Sequence, residues 1–302
     1  MHLHLLTKLA RAAAIALLAL LATQARAGEA AGAAGAPAIW TINKAQGTIW
    51  LFGSVHILTA DKSWRMGEIS EAFLAADVVV FETPVDMDQM PDVVAFIAQH
   101  GINPPGTTLR SMLDGRQKTR IEQAAQKVGA MTLVLDTMRP WLAALTLTVL
   151  EAQRQGFDPE HGVDVTLEAE AHNSPDKEIV YLETPIEQLS FFTTLNRESE
   201  VAFLTASVDE ILDQPQVLKD LVEAWQRGDT QAIDTLMNES TRDMPGLRKL
   251  LLTDRNARWV KRIEAWLNDG KNYLIVVGAG HLVGQEGVVG MLRAKGVSVE
   301  GP

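Results

Sequence analysis

Two apolar runs of strand character stand near opposite ends of the chain, WLFGSVHIL at 50–58 and YLIVVGAGHLV at 273–283. Each closes in a glycine followed three residues later by a histidine, Gly53 with His56 and Gly278 with His281. A glycine just after a buried strand lets the backbone turn sharply or approach another group closely, and the histidine is then projected over the strand ends. If the two strands are neighbours, His56 and His281 converge on one small region. A second echo accompanies the first. DVVVFETPVD (77–86) and KEIVYLETPIE (177–187) share a strand, then Glu-Thr-Pro, then a polar start to a helix, which puts Glu82 and Glu183 in matching positions. Both kinds of turn sit at the C-terminal end of a strand, the edge where open α/β sheets bind ligands.

The remaining pattern fits such a sheet. Alternating and continuous apolar runs predict strands at about 39–42, 48–52, 78–82, 179–182, 272–277 and 297–299, with helices at about 66–75 and 286–294. A long, mostly helical middle runs from Asp88 to about Asn173, broken near Pro104-Pro105 and at 156–159, and more helices follow to about Asn268. Few strands, gathered toward the two ends with helices between, indicate an α/β or α+β fold: a central mixed sheet of two βαβ-like halves with a large helical insert. LAALTLTVLEAQ (142–153) is apolar nearly all round, the mark of a buried core helix. Arg139 and Trp141 before it are candidates for one wall of a pocket.

Residues 1–27 carry Lys8 and Arg11, an apolar run from Ala12 to Ala22 and a small-x-small site at Ala25 and Ala27. This reads as a secretory signal peptide cut after Ala27, with a periplasmic or secreted product. A retained anchor is the alternative, but the run is shorter than the ~20 residues a spanning helix needs. GEAAGAAGAPA (28–38) reads as a flexible lead-in, and 39–302 as one domain. The leader holds three bases and no acid, so its removal takes the net charge from −11 to −14. An acidic chain without a basic run does not suit nucleic acid or an anionic membrane as partner. Cysteine is absent, so any metal must be held by histidine and carboxylate.

Glu82 ends an apolar run, where an unpaired carboxylate is costly. With His56 and His281 it makes a donor set suited to a divalent metal, Zn²⁺, Mn²⁺ or Co²⁺, that activates water. Glu183 reads equally as a structural hydrogen-bonding group. Arg255, at the start of a helix, is either a surface ion pair or a fixed positive charge for an oxyanion or a substrate carboxylate. Asp164 either caps a helix or supports the site. His100 and His172 close helices beside Gly101 and Asn173 and read as structural. The tryptophans at 225, 259 and 266 fall on amphipathic helical patterns and read as core.

GSVH at 53–56, FET at 81–83, RPW at 139–141, GVD at 162–164, LETPIEQL at 182–189, DRN at 254–256 and GAGH at 278–281 stand in the order of the TraB/GumN family. From about residue 39 to 300 the chain resembles that family, which belongs to a wider group with the Tiki metalloproteases and, more distantly, the erythromycin-esterase-like and ChaN-like proteins. The resemblance implies a metal-dependent hydrolase with a peptide or small-molecule substrate, peptide bonds being the substrate class of the Tiki enzymes. Its functional positions fall on His56, His281, Glu82 and Arg255. Asp254 stands where many relatives have glutamate, which shortens any reach of that acid into the site. Two other readings stay open: a protein that holds a metal, haem or small ligand without turnover, and an accessory of envelope or polysaccharide assembly.

Overall fold

The computed structural model describes residues 35–65, 67–85, 90–240 and 244–302. The signal peptide expected over 1–27 and the lead-in as far as residue 34 lie outside the described residues. Of the lead-in's remaining residues, Pro37 and Ala38 are buried. Among the described residues no helix is long and apolar enough to cross a membrane.

In chain order the elements are β1 (Ile39–Asn43), β2 (Thr48–Ser54), α1 (Gly67–Ala75), β3 (Val78–Phe81), α2 (Met90–His100), α3 (Gly115–Val128), α4 (Thr132–Leu135), α5 (Pro140–Arg154) and α6 (Val163–His172). There follow β4 (Glu178–Tyr181), α7 (Pro185–Thr193), α8 (Arg197–Asp213), α9 (Val217–Gln226), α10 (Thr230–Ser240), α11 (Pro245–Arg248), α12 (Asp254–Trp266), β5 (Tyr273–Gly278) and α13 (Val288–Ala294). A π-helical turn, Lys249–Thr253, joins α11 to α12.

The five strands form one mixed sheet in the order β1-β2-β5-β3-β4. β1 and β2 are an antiparallel hairpin, and every other pairing is parallel. The central strands VVVF of β3 and YLIVVG of β5 are buried along nearly their whole length, as strands of a parallel sheet covered on both faces must be. The last strand in sequence lies in the middle, between β2 and β3. The two sequence halves therefore interleave rather than stand side by side: β5 separates β2 from β3, and β3 separates β5 from β4. The strand predicted at 297–299 does not form. Val297 N donates back to Leu292 O at 3.1 Å, which ties the start of that segment to the end of α13, and of the strand only an isolated bridge from Glu300 to Thr41 remains.

The described chain divides into two compact units, each drawn from separate stretches of sequence. Residues 90–158 and 184–218 make a helical unit. Its centre is α5, buried on nearly every side, with Trp141 stacked on Phe192 and Phe192 on Phe203 at ring separations of 5.6 and 5.5 Å. Pro140 starts α5 at a position where its missing N–H costs nothing. Arg139 just before it pairs with buried Glu200 and donates to His100 O, so Arg139 and Trp141 both serve this unit's interior. Capping boxes at Asp114 with Gln117 and at Thr184 with Glu187 fix the starts of α3 and α7.

Residues 35–85, 159–183 and 219–302 make the sheet unit. Trp225 and Trp259 are buried in it, and Trp225 Nε1 donates to Gly53 O at 2.7 Å, tying α9 to the end of β2. Trp266 stacks on Tyr273 of β5.

Candidate active site

The parallel strands present their C-terminal ends together in the sheet unit. Ser54 at the end of β2 lies opposite Gly278 at the end of β5, and Phe81 of β3 lies opposite Val276 and Tyr181. The residues that follow, His56, Glu82, Glu183 and His281, are carried to this edge, and all four side chains are buried. The two Gly-x-x-His turns come from adjacent strands, β2 and β5, and the two Glu-Thr-Pro turns from adjacent strands, β3 and β4. A hydrogen bond from Glu183 N to Glu82 O, 2.8 Å, continues the β3–β4 ladder one step past the strands.

Two glycines make the approach possible. A Cβ on Gly53 would stand 3.0 Å from Ala279 Cα, so β2 passes close under the turn that carries His281. A Cβ on Gly278 would stand 3.2 Å from both His56 Nε2 and Glu82 Oε1, and 3.7 Å from His281 Cδ2. Gly278 is partly exposed and forms the floor on which these three side chains converge.

His56 is held from behind by α6. Gly162 lets that helix start against the His56 backbone, where a Cβ would fall 2.4 Å from His56 O, and Val163 N donates to Val55 O at 3.0 Å. Asp164 is thereby placed with Oδ2 2.6 Å from His56 Nδ1, while its Oδ1 accepts the Ser54 hydroxyl at 2.8 Å. Asp164 supports the site and does not cap α6, whose N-cap is Gly162 without a side-chain bond. Burial would lower the His56 pKa, but the Asp164 carboxylate, and beyond it Glu82, raise it above the ordinary imidazole value.

His281 meets the opposite surroundings. Nδ1 lies 2.6 Å from Asn256 Oδ1, and Nε2 lies 3.0 Å from Arg255 Nη1. A guanidinium only donates, so Nε2 is the acceptor and the proton sits on Nδ1, given to the amide oxygen. Asn256 is fixed in turn by donating from Nδ2 to Glu286 O at 2.8 Å. Burial, and then the charge of Arg255, push the His281 pKa down to about 3, so this imidazole is neutral. Its ring packs on Trp259 at 4.4 Å.

Arg255 is no surface ion pair. It is 2% exposed and donates from Nη2 to Glu82 Oε2 at 2.7 Å and from Nε to Glu183 Oε2 at 2.9 Å. Glu82 Oε1 accepts Gly278 N at 2.7 Å. Burial would raise the Glu82 carboxyl, but neighbouring His281 and Arg255 hold it at about 2, and it is ionised. Glu183 also accepts Arg258, whose side chain is half exposed at the rim. Asp254 pairs with Lys249 and takes no part. His100 ends α2 against the ring of Phe96, and His172 ends α6 with Nε2 3.7 Å from Glu168.

The donor types fit a divalent metal, but their arrangement does not. His281 Nε2 and both Glu82 oxygens are already turned to N–H donors, two of them on a buried guanidinium. Among the described residues no three histidine or carboxylate side chains are grouped to hold a metal ion. Asn256, Ser54 and the π turn, whose Leu251 carbonyl accepts Arg255 Nη1 at 3.1 Å, are parts of the site that sequence reasoning missed. Asn256 stands within the DRN motif. Nothing in spacing or composition singles out Ser54 or the π turn.

Comparison with known proteins agrees with the motif order. Uncharacterized protein YbaP of Escherichia coli (strain K12) and its namesake in Shigella flexneri are each 24% identical to this chain over 244 residues, covering 80% of it and 87% of their own length. No solved structure matches. The model of the TraB/PrgY/gumN family matches residues 38–301, which takes in every strand and every residue of the site, and the chain belongs to that family.

Proposed function

We propose that this sheet edge is a hydrolytic site acting on a carbonyl substrate, a peptide or a small ester or amide. His56 takes the proton from the attacking water. The observation that carries the reading is the placement of His56 Nε2 against the partly exposed floor at Gly278, with Asp164 Oδ2 2.6 Å behind it at Nδ1 as an ion-pair contact. An imidazole held this way is a positioned general base, worth ~10²–10⁴-fold in rate. Glu82 and neutral His281 anchor Arg255, a fixed positive charge beside the place where negative charge develops on the carbonyl oxygen. The leader expected over 1–27 would have this chemistry performed in the periplasm or outside the cell.

The test is hydrolysis of a panel of activated esters, amides and fluorogenic peptides by the purified chain in the presence of a chelator. His56→Ala should lose ~10²-fold or more of any turnover found, while its circular dichroism is unchanged. Asp164→Asn should lose activity and move the pH midpoint of the rate downward, since the charge that raises His56 is gone. Turnover that His56→Ala leaves intact would overturn the assignment.

A further inference from the structure

We infer that Arg255 is the resident cation of this site: its guanidinium takes up acceptor atoms of His281, Glu82 and Glu183, which are not grouped to hold a metal ion around it, and its removal frees them to close on one. The inference concerns binding, and holds whether or not the site hydrolyses anything.

A guanidinium has five N–H donors in a fixed fork. Here each nitrogen has an acceptor. Nε donates to Glu183, Nη1 to Leu251 O and His281 Nε2, and Nη2 to Glu82 Oε2, while Glu183 Oε2 lies 2.8 Å from Nη2 as an ion pair. Three of these acceptors, an imidazole nitrogen and two carboxylates, are the atom types that ligate zinc, cobalt or manganese. A metal on His281 Nε2 would take an acceptor from a buried N–H and bring a double positive charge against a guanidinium that cannot lose its proton.

The surroundings hold Arg255 in place. Its guanidinium lies over the Trp259 ring at 4.8 Å, its backbone opens α12, and the π turn before it supplies the Leu251 carbonyl. Asn256, the next residue, takes the His281 Nδ1 proton and so aims the Nε2 lone pair at the guanidinium. Charge is balanced as well: Glu82 and Glu183 face Arg255 and Arg258. With Arg255 removed, the same atoms become a buried nitrogen lone pair and two carboxylates with too few donors. A cation of higher charge density relieves that shortage.

The experiment is metal content by mass spectrometry and titration with Co²⁺ and Zn²⁺, on the full chain purified without chelator or a metal-affinity tag. The wild type should hold less than about 0.1 metal per chain and give no ligand-field absorption with Co²⁺. Arg255→Ala should take up about one Co²⁺ per chain, visible as d–d bands, and lose it when His281→Ala is added. Arg255→Lys, which keeps a cation, should behave as the wild type. About one metal in the wild type, lost in His281→Ala, overturns the inference, as does a folded Arg255→Ala that binds none. Should Arg255→Ala fail to fold, the wild type and Arg255→Lys still decide. Metal in either overturns the inference, and metal in neither supports it. Loss or retention of hydrolysis is a separate readout and bears only on the proposed function.

Discussion

At the scale of single residues, the two histidines that look alike in sequence are driven apart by what surrounds them. His56 has a carboxylate at its back and is raised; His281 has an arginine at its face and falls to about 3. Proton linkage fixes the consequences. Below pH 6.5 the unfolded chain protonates His281 while the folded chain does not until about 3, so this group costs stability as pH falls through that window. Glu82 acts with the same sign from 4.5 down to about 2. His56 acts oppositely: its contribution is complete below 6.5 and is lost as pH rises through its raised value. Urea midpoints taken at pH 7 and pH 5 should therefore fall less in His281→Asn than in the wild type, and an equal fall would refute the buried neutral imidazole. Asn256→Ala leaves the Nδ1 proton of His281 without its acceptor and should cost ~1–3 kcal/mol in the same measurement. His56 and His281 are legible in the sequence because both follow a strand at the same spacing from a glycine, and Glu82 because it ends an apolar run, where a polar group needs a reason. Arg255 reads from sequence as either of two things and the family pattern favours the site, while Asn256 and Ser54 are visible only as members of the DRN and GSVH motifs. Their partners lie 25 and 110 residues away, and nothing local marks such a bond.

At the scale of elements, the site depends on how closely α6 approaches β2. Gly162 permits it, because a Cβ there would meet the His56 carbonyl carbon and oxygen at 2.9 and 2.4 Å. Gly162→Ala should cost ~1–3 kcal/mol by overpacking and should lower activity by moving Asp164. Gly115, in the exposed first turn of α3 with open space around it, is the control: Gly115→Ala should be neutral or stabilise by up to ~1 kcal/mol. Thermal melts of the two variants, read beside His56-dependent turnover, separate packing from placement. Strands β1 to β5 are readable from their apolar runs to within a residue or two, and the signal is plainest in β3 and β5, which are buried along nearly their whole length. The expected strand at 297–299 is absent because Val297 is held to the end of α13 through Leu292 O, a contact its apolar residues do not announce.

At the scale of the whole molecule, the two ends of the described chain meet in one sheet. β5, the final strand, fills the gap between β2 and β3, so the sheet cannot close until residues 273–278 are present. A chain ended after residue 268 should therefore lack a cooperative thermal transition, although it keeps all the helices of the helical unit. A sharp melt in that truncated chain would show that the sheet does not need its centre. Neither the strand order nor the division into two units could be read beforehand: interleaved halves and side-by-side halves share the same local pattern, and only long-range pairing distinguishes them. That pairing is what brings two imidazoles, 225 residues apart in sequence, onto the same glycine floor. The most direct test is a ¹⁵N-histidine NMR titration of the wild type, with His56→Ala and His281→Ala for assignment. One imidazole should stay neutral, protonated on Nδ1, down to about pH 3, and the other should titrate above 6.5. If both titrate near 6.5 as free imidazoles do, the buried cluster described here does not exist.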